Sequence, residues 1–348
     1  MASTLLLALS GTLVATAILW RSCARLEESS HLLAAHYRVP DIVRGSVLMA
    51  VSSSFPELAT AILAIQSHSD FELGLAAIVG SAIYNILVIP AAAVLVRKQP
   101  LQANRALVYR EAQFYLVAVT TLLLVISLGV IYAPWGPGLG QETGVIRGEL
   151  GRGLALIPLI LYGVYLFIQW EEARDARSTL PVVDGIRPAR EWGALLLSTA
   201  AIVVGVEILL RAAIALGALF NTPTFFWGMT IVAAATSIPD MIISIKAAVA
   251  GREASSVSNV LGSNVFDLLV AVPLAVLVTG TVIVNFTQIV PMMAFLMFAT
   301  VVMLALMRHD MKLTRGEALV MLGLYLMFGL WMGLEALGLT DFLGLPPA

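Results

Sequence analysis

Two carboxylates lie deep inside long apolar segments of this sequence, each directly after a proline: Glu57 follows Pro56, and Asp240 follows Pro239. A charged side chain in hydrocarbon costs free energy, so it is rare there and usually serves binding or transport. Proline cannot donate a backbone hydrogen bond. We therefore expect each helix to be kinked or locally unwound near its proline, with carbonyl oxygens left free.

Hydroxyl side chains precede these carboxylates at helical spacing, and the same arrangement recurs in two further segments. Side chains four residues apart share one face of a helix. Together they predict a cluster in which every polar side-chain group offers oxygen. The four pairs are Ser53 with Glu57, Thr236 with Asp240, Ser81 with Asn85, and Ser263 with Asp267.

A cluster of this kind favours hard cations. Ca²⁺ takes about six to eight oxygen ligands, whereas softer metals prefer His or Cys. None of the four histidines lies in these segments, and Cys23 is the only cysteine. Three carboxylates in one pocket cannot all stay ionised without cations nearby. A divalent ion, several Na⁺ ions or protons would each relieve the repulsion, and mutually exclusive occupancy would let an exchanger couple its ions.

The composition is that of an integral membrane protein, with 59% hydrophobic and only 12% charged residues. Apolar segments recur, each close to the ~20 residues that cross a ~30 Å hydrocarbon core. No barrel-like alternation is present, so the predicted fold class is an all-α polytopic membrane protein. The ten predicted spans are residues 3–20, 42–66, 71–96, 109–132, 153–171, 192–216, 225–249, 256–280, 283–307 and 316–337.

Lysine and arginine are concentrated in the loops that follow the odd-numbered spans. By the positive-inside rule these loops face the cytoplasm, so both termini are predicted to be extracytoplasmic in the cell membrane. The first span has no basic segment ahead of it, which favours an uncleaved helix over a signal peptide. The sequence implies the lipid bilayer as its surroundings, with no nucleic acid and no protein partner.

The first proline–carboxylate segment is repeated later in the chain. A shift of 183 residues places Glu57 on Asp240, and after one residue is dropped Ser81 falls on Ser263. Corresponding spans of the two copies are five apart, an odd number, so the copies cross the membrane in opposite directions, as in inverted-repeat transporters. The predicted architecture is two inverted five-helix repeats, residues 1–172 and 192–348, joined by a short cytoplasmic linker, 173–191; the duplicated motifs are residues 45–90 and 228–273.

Two features have simpler structural explanations. Small residues such as Gly80 and Gly262 are common in membrane helices because they let helices approach closely. Glu207 and Arg211 are four residues apart and are predicted to form a structural ion pair. Packing alone does not explain carboxylates at corresponding places in both copies.

These segments resemble the cation/Ca²⁺ exchanger superfamily, specifically the sodium/calcium exchangers. The repeats of that family carry Gly-Thr-Ser-x-Pro-Glu, followed by Gly-Ser-Asn-x-x-Asn or Asp. Here residues 52–57 read Ser-Ser-Ser-Phe-Pro-Glu and residues 235–240 read Ala-Thr-Ser-Ile-Pro-Asp; residues 80–85 and 262–267 are Gly-Ser-Ala-Ile-Tyr-Asn and Gly-Ser-Asn-Val-Phe-Asp. The resemblance implies a transporter, not an enzyme, that exchanges about three Na⁺ for one Ca²⁺ by alternating access.

The resemblance also implies a ligand set and no cofactor beyond the transported ions. Glu57 and Asp240 resemble the central Ca²⁺ carboxylates of the family. The ligands around them would be the side chains of Ser53, Ser54, Thr236 and Ser237 and the carbonyls of Ala50 and Ala233, and the Na⁺ and Ca²⁺ positions would be completed by Ser81, Asn85, Ser263 and Asp267.

Three alternatives stay open. Asp240 replaces the usual glutamate, and this variant is similar to the potassium-dependent branch, so K⁺ co-transport is one alternative. H⁺/Ca²⁺ exchange is the second, although the proton-coupled branch carries a different repeat motif. An intramembrane aspartyl protease is a remote third, because such enzymes need two Asp with shared geometry, whereas here the partners are Glu57 and Asp240.

Overall fold

The computed structural model describes residues 2–37, 49–103, 110–135, 145–175, 186–340 and 342. Within these ranges the chain is mostly helical, as its long apolar segments predict. The helices are α1 (Ala2–His36), α2 (Met49–Ser53), α3 (Phe55–His68), α4 (Phe71–Leu87), α5 (Ile89–Arg97), α6 (Ala112–Tyr132), α7 (Arg152–Asp175), α8 (Pro188–Phe220), α9 (Thr224–Trp227), α10 (Ala233–Val249), α11 (Glu253–Phe266), α12 (Val272–Thr279), α13 (Phe286–Arg308) and α14 (Arg315–Ala336).

Nine helical segments in the described ranges are long and apolar enough to cross a membrane. They correspond to nine of the predicted spans. The exception is the predicted span 42–66, of which residues 42–48 lie outside the described part while the rest forms α2 and α3. The predicted span 3–20 is the apolar part of α1, and the helix continues beyond it through Arg21, Arg25, Glu27 and Glu28 to His36.

Two of the predicted spans consist of two consecutive helices each, and a proline lies at the start of the second helix in both. Pro90 lies in the first turn of α5, just after α4 ends, and Pro56 lies in the first turn of α3. A proline in the first turn costs no helical hydrogen bond, since that N–H has no partner inside the helix anyway. The chain can therefore change direction inside the membrane without leaving extra donors unpaired.

The helices that carry the repeated segments form the interior. In the apolar stretches of α4–α5 and α11–α12, 78% and 83% of the residues are buried, against 17% in α1 and 22% in α14. The outer helices expose leucines such as Leu6, Leu13 and Leu326. Such exposure suits lipid, which removes the need to bury apolar side chains.

The helices α1 and α8 lie side by side and pack against the central elements. Leu19 of α1 contacts the position of Gly205 in α8, where a β-carbon would meet its Cδ2 atom at 3.1 Å. The α1–α8 pair borders both proline–carboxylate helices, because α1 also contacts α10 and α8 also contacts α3.

Two short antiparallel ribbons connect the first part of the chain to the second. The strand β1 (Leu101–Gln102) pairs with β4 (Lys312–Leu313), and β2 (Arg147–Leu150) pairs with β3 (Val282–Asn285). These pairings satisfy backbone groups of segments that join the helices. The pairing of β2 with β3 also holds the first residues of α7 and α13 near each other.

Candidate functional site

The three predicted carboxylates are all buried, with exposed fractions of 1% for Glu57 and 0% for Asp240 and Asp267. Glu57 is in the first turn of α3, and Asp240 is in α10. Asp267 begins a π-helical turn, 267–271, that joins α11 to α12. The three carboxylates lie close enough to interact electrostatically. Three separate elements therefore bring their negative charge into one buried region.

The backbone of the first copy bends at Ser54, between α2 and α3. This residue has φ −92° and ψ 9° and stands just before the helix that carries Pro56 and Glu57. The local unwinding predicted near Pro56 is confirmed. Because α3 begins here, Glu57 lies in its first turn, where the helix dipole stabilises a carboxylate.

The second copy has a different backbone. The helix α10 continues through Pro239, so the unwinding predicted there is not observed. The irregularity lies earlier, in the π-helical turn 228–232, more than one helical turn before the proline. A π-helical turn accommodates an extra residue within a helix and is frequent at functional sites. The two copies thus reach similar positions for their carboxylates by different backbone routes.

Two of the hydroxyl groups at the site lie next to the carboxylate of the other copy. Ser53, predicted to share a face with Glu57, lies next to Asp240. Thr236, predicted to accompany Asp240, lies next to Glu57. The bend at Ser54 separates Ser53 from the helix of Glu57, and this makes the exchange of partners possible.

The helix α4 bridges the two carboxylates. Ser81 Oγ donates to Glu57 Oε1 at 3.3 Å and shares a 2.7 Å hydrogen bond with Ser237 Oγ. One turn later, Asn85 Nδ2 donates to Asp240 Oδ2 at 3.3 Å. All five side chains are buried. Residues of the first copy therefore hold a carboxylate from each copy.

The other predicted ligands lie at or near the cluster. Ser54 Oγ donates to the carbonyl oxygen of Ser263 at 3.4 Å. Thr236 Oγ1 donates to the carbonyl oxygen of Ala233, the first residue of α10, at 3.2 Å. Ala50 belongs to α2, but its side chain lies outside the described part of the structure.

Several acceptor atoms at the site have no hydrogen-bond donor among the described residues. A buried acceptor left unpaired costs about 1–3 kcal/mol, and a charged one costs more. Cations would bind to such atoms, because each oxygen has lone pairs that no hydrogen bond uses and is buried away from bulk water. These atoms are Glu57 Oε2, Asn85 Oδ1, Asp240 Oδ1 and both carboxylate oxygens of Asp267.

The carboxylates do not form a coordination sphere by themselves. Among the residues that the structure describes, no group of three His, Cys, Asp or Glu side chains is placed to hold a metal ion. Neutral oxygens from serine, threonine, asparagine and the backbone must therefore complete any cation site here. Ca²⁺ accepts such mixed oxygen ligands readily.

Three polar residues at the site were not among the predicted ligands. Asn264 and Tyr115 are buried and bond to each other, and Asn259 lies next to Asp240. A signal for Asn264 was present, because it matches the asparagine of the family's Gly-Ser-Asn motif, where the first copy has Ala82. Spacing from a carboxylate could not have found Tyr115, which comes from α6.

A cavity of about 300 Å³ opens beside Asp240. Its walls include Pro239 and Asn259 near that carboxylate, together with Glu27 of α1 and Lys246 of α10. A partly polar cavity of this size holds several water molecules. The cavity therefore reaches the residue that precedes Asp240 in α10.

The helix α4 and the π-helical turn 228–232 are in backbone contact at two glycines. A β-carbon at Gly80 would lie 2.3 Å from the Met229 carbonyl oxygen, and one at Gly228 would lie 2.7 Å from that of Leu73. The close-packing explanation therefore holds for Gly80. For Gly262, the counterpart of Gly80, no atom of the described residues lies within 4 Å of a β-carbon.

The predicted ion pair between Glu207 and Arg211 is confirmed, with Arg211 Nε donating to Glu207 Oε1 at 2.7 Å. His68 Nε2 lies 3.2 Å from the other oxygen of this carboxylate. The three residues connect the end of α3 to α8, away from the buried carboxylates.

Comparison with known proteins places this arrangement among ion exchangers. The family described as sodium/calcium exchanger protein matches residues 7–171 and 190–334. The sodium/calcium exchanger MaX1 of Methanosarcina acetivorans is 24% identical over 274 residues, which cover 71% of this chain and 76% of that protein.

Two solved structures share the fold. The sodium-calcium exchanger NCX_Mj superposes with a TM-score of 0.60 at 20% identity, covering 93% of this chain and 97% of the other. The H⁺/Ca²⁺ exchanger CAX superposes with a TM-score of 0.68 at 14% identity, covering 95% of this chain and 82% of the other. At these identities the likeness concerns the fold alone.

Proposed function

Because this chain belongs to the sodium/calcium exchanger protein family, we propose that it exchanges Na⁺ for Ca²⁺ across the cell membrane by alternating access. It is a multi-pass membrane protein and an antiporter of this superfamily, not an enzyme. The observation that carries the proposal is the set of unpaired oxygens on Glu57, Asp240, Asp267 and Asn85. A buried region with this much unbalanced negative charge is stable only when cations or protons occupy it.

In this proposal Glu57 and Asp240 are the central Ca²⁺ carboxylates. Both lie within one hydrogen-bonded group with α4, so a single divalent ion could be shared between them. Asp267, whose two oxygens have no hydrogen-bond donor among the described residues, would serve Na⁺ or a proton. The neutral ligands would be Ser53, Ser54, Ser81, Asn85, Thr236, Ser237 and Ser263 with the carbonyls of Ala50 and Ala233, and no cofactor would be needed.

We also propose the ten-helix, inverted-repeat architecture, with halves 1–172 and 192–348, the linker 173–191 between them, and both termini extracytoplasmic. Support comes from the sequence repeat and from the alternation of basic loops. The contacts between Ser81 and Ser237, and between Asn85 and Asp240, fit a site at the interface of the two halves. Such an interface near the midplane is where inverted-repeat transporters bind their ions.

Transport in proteoliposomes tests the proposal. With the full chain reconstituted, an outward Na⁺ gradient should drive uptake of radiolabelled Ca²⁺, and vesicles without a gradient should show none above background. One net positive charge would leave per cycle, worth about 2.3 kcal/mol at 100 mV, or about a 50-fold shift in the equilibrium Ca²⁺ ratio. An inside-positive potential should therefore increase uptake.

Varying the ions separately distinguishes the alternatives. Uptake that ignores Na⁺ but follows a pH gradient would establish H⁺/Ca²⁺ exchange instead. A requirement for K⁺ on the Ca²⁺ side, at a fixed Na⁺ gradient, would establish K⁺ co-transport. Uptake that is unchanged by membrane potential would rule out the electrogenic stoichiometry.

A further inference from the structure

A buried amide, Asn264, lies behind the site and bonds to one of the proposed ligands. Its Oδ1 atom accepts from Asn85 Nδ2 at 2.9 Å. Its Nδ2 atom donates to the Ala82 carbonyl oxygen and to the Tyr115 hydroxyl, each at 3.2 Å. All four residues are buried. Each polar atom of Asn264 has a partner, whereas Asn85 Oδ1 has none among the described residues.

The Ala82 carbonyl determines which way the Asn264 amide is turned. A carbonyl oxygen can only accept a hydrogen bond, so the atom of Asn264 that faces it must be the NH₂ group. The amide oxygen of Asn264 then has to face Asn85. The tyrosine hydroxyl imposes no such choice, because a hydroxyl can donate or accept.

The orientation of Asn264 in turn fixes that of Asn85. Facing an acceptor, Asn85 must present its NH₂ group, which also reaches Asp240 at 3.3 Å. If the Asn85 amide were reversed, its oxygen would face two acceptors, and both bonds would become repulsive. The carboxamide oxygen of Asn85 is therefore left free as a ligand. Asn264 is uncharged, so its hold on Asn85 does not depend on whether Asp240 is ionised or occupied by a cation.

We propose that Asn264 is a positioning residue, which holds the Asn85 carboxamide so that its oxygen is available to the transported cation. This inference rests on the proposed function of the site. The repeat adds a reason for the difference between the copies: Asn264 corresponds to Ala82, the residue whose carbonyl it contacts. Because residue 82 is alanine, it offers only its backbone carbonyl to Asn264 and has no polar side chain of its own that could bond to Asn85.

Ca²⁺ affinity of the purified full chain, measured by calorimetry, tests this role. Asn264→Ala and the volume-conserving Asn264→Leu should each weaken Ca²⁺ binding about 10-fold, since one oriented oxygen ligand is lost. In an Asn85→Ala background the same replacements should cause no further loss, because the group that Asn264 orients is gone. Tyr115→Phe should weaken binding less than about 3-fold, because the Ala82 carbonyl still turns the amide.

The outcomes separate this inference from the proposed function. If replacing Asn264 weakened Ca²⁺ binding equally in the unaltered and the Asn85→Ala backgrounds, Asn264 would only support packing. The same would follow if the loss of Ca²⁺ affinity followed the fall in melting temperature of the ion-free variants. A Tyr115→Phe effect as large as that of Asn264→Ala would assign the orientation to the hydroxyl. Either result overturns the inference alone. Absence of Ca²⁺ binding by the unaltered chain overturns the proposed function as well.

Discussion

Replacement of Glu57 by glutamine should reduce Ca²⁺ exchange by about 100-fold or more. Removing one partner of a buried charge interaction typically costs about 3–5 kcal/mol, and each 1.4 kcal/mol is tenfold in affinity. Glutamine keeps the shape of the side chain and one oxygen, so the contact with Ser81 survives. The fall in Ca²⁺ exchange would therefore come from the missing negative charge and not from a changed side-chain shape. Radiolabelled Ca²⁺ uptake under a Na⁺ gradient measures it.

Thermal unfolding of the purified chain with and without Ca²⁺ is the companion measurement. Ca²⁺ should raise the melting temperature of the unaltered protein, because a ligand that binds only the folded state stabilises it. The Glu57→Gln variant should be folded and should show no such rise. Glu335→Gln is the matched control: Glu335 is also buried, but it bonds to Trp331 of its own helix, and transport should be retained. Full activity of Glu57→Gln would show that the site is elsewhere.

Replacement of Gly80 by alanine should impair both folding and transport. The new methyl group would lie 2.3 Å from the Met229 carbonyl oxygen and 2.8 Å from the β-carbon of Ala233. Neither neighbour is the end of a flexible side chain, so α4 and the π-helical turn 228–232 would have to separate. Overpacking of this kind typically costs about 1–3 kcal/mol. We expect a lower melting temperature and a lower folded yield in detergent, measured by size-exclusion chromatography.

Transport by the Gly80→Ala protein that does fold should also fall, because α4 carries Ser81 and the turn leads into the helix of Asp240. Gly323→Ala provides the control, since Gly323 is exposed on α14 and, among the described residues, nothing lies within 4 Å of a β-carbon there. That variant should be as stable as the unaltered protein. If both glycines tolerated alanine equally, the backbone contact described for α4 would be wrong.

Much of the fold follows from the sequence by itself. Apolar length predicts the membrane helices, because each must satisfy its own backbone hydrogen bonds while crossing a hydrocarbon layer of fixed thickness. Apolar length gives only the membrane span of α1, because the helix continues past residue 20 into a more polar segment. Sequence reasoning also did not predict that the backbone near the proline differs between the two copies. Pro56 stands at the start of a helix whereas Pro239 lies within one, and local sequence alone does not distinguish these positions.

The chemistry of the site was likewise predictable in kind. Buried carboxylates with hydroxyls at helical spacing indicate an oxygen-lined cation site, since only a ligand would justify their cost in hydrocarbon. The partners were not predictable. Spacing paired Ser53 with Glu57 and Thr236 with Asp240, but in the folded chain each hydroxyl lies next to the carboxylate of the other copy.

Local composition and spacing along one helix were therefore enough to predict the membrane helices, the repeat and the proposed types of ligand. Which residues meet follows from the packing of the helices. Glu57 and Asp240 are brought together by α4, whose Gly80 permits backbone contact with the turn before α10, and whose Ser81 and Asn85 reach one carboxylate each. Contacts of this kind depend on how helices distant in sequence pack, and helical spacing carries no information about that packing.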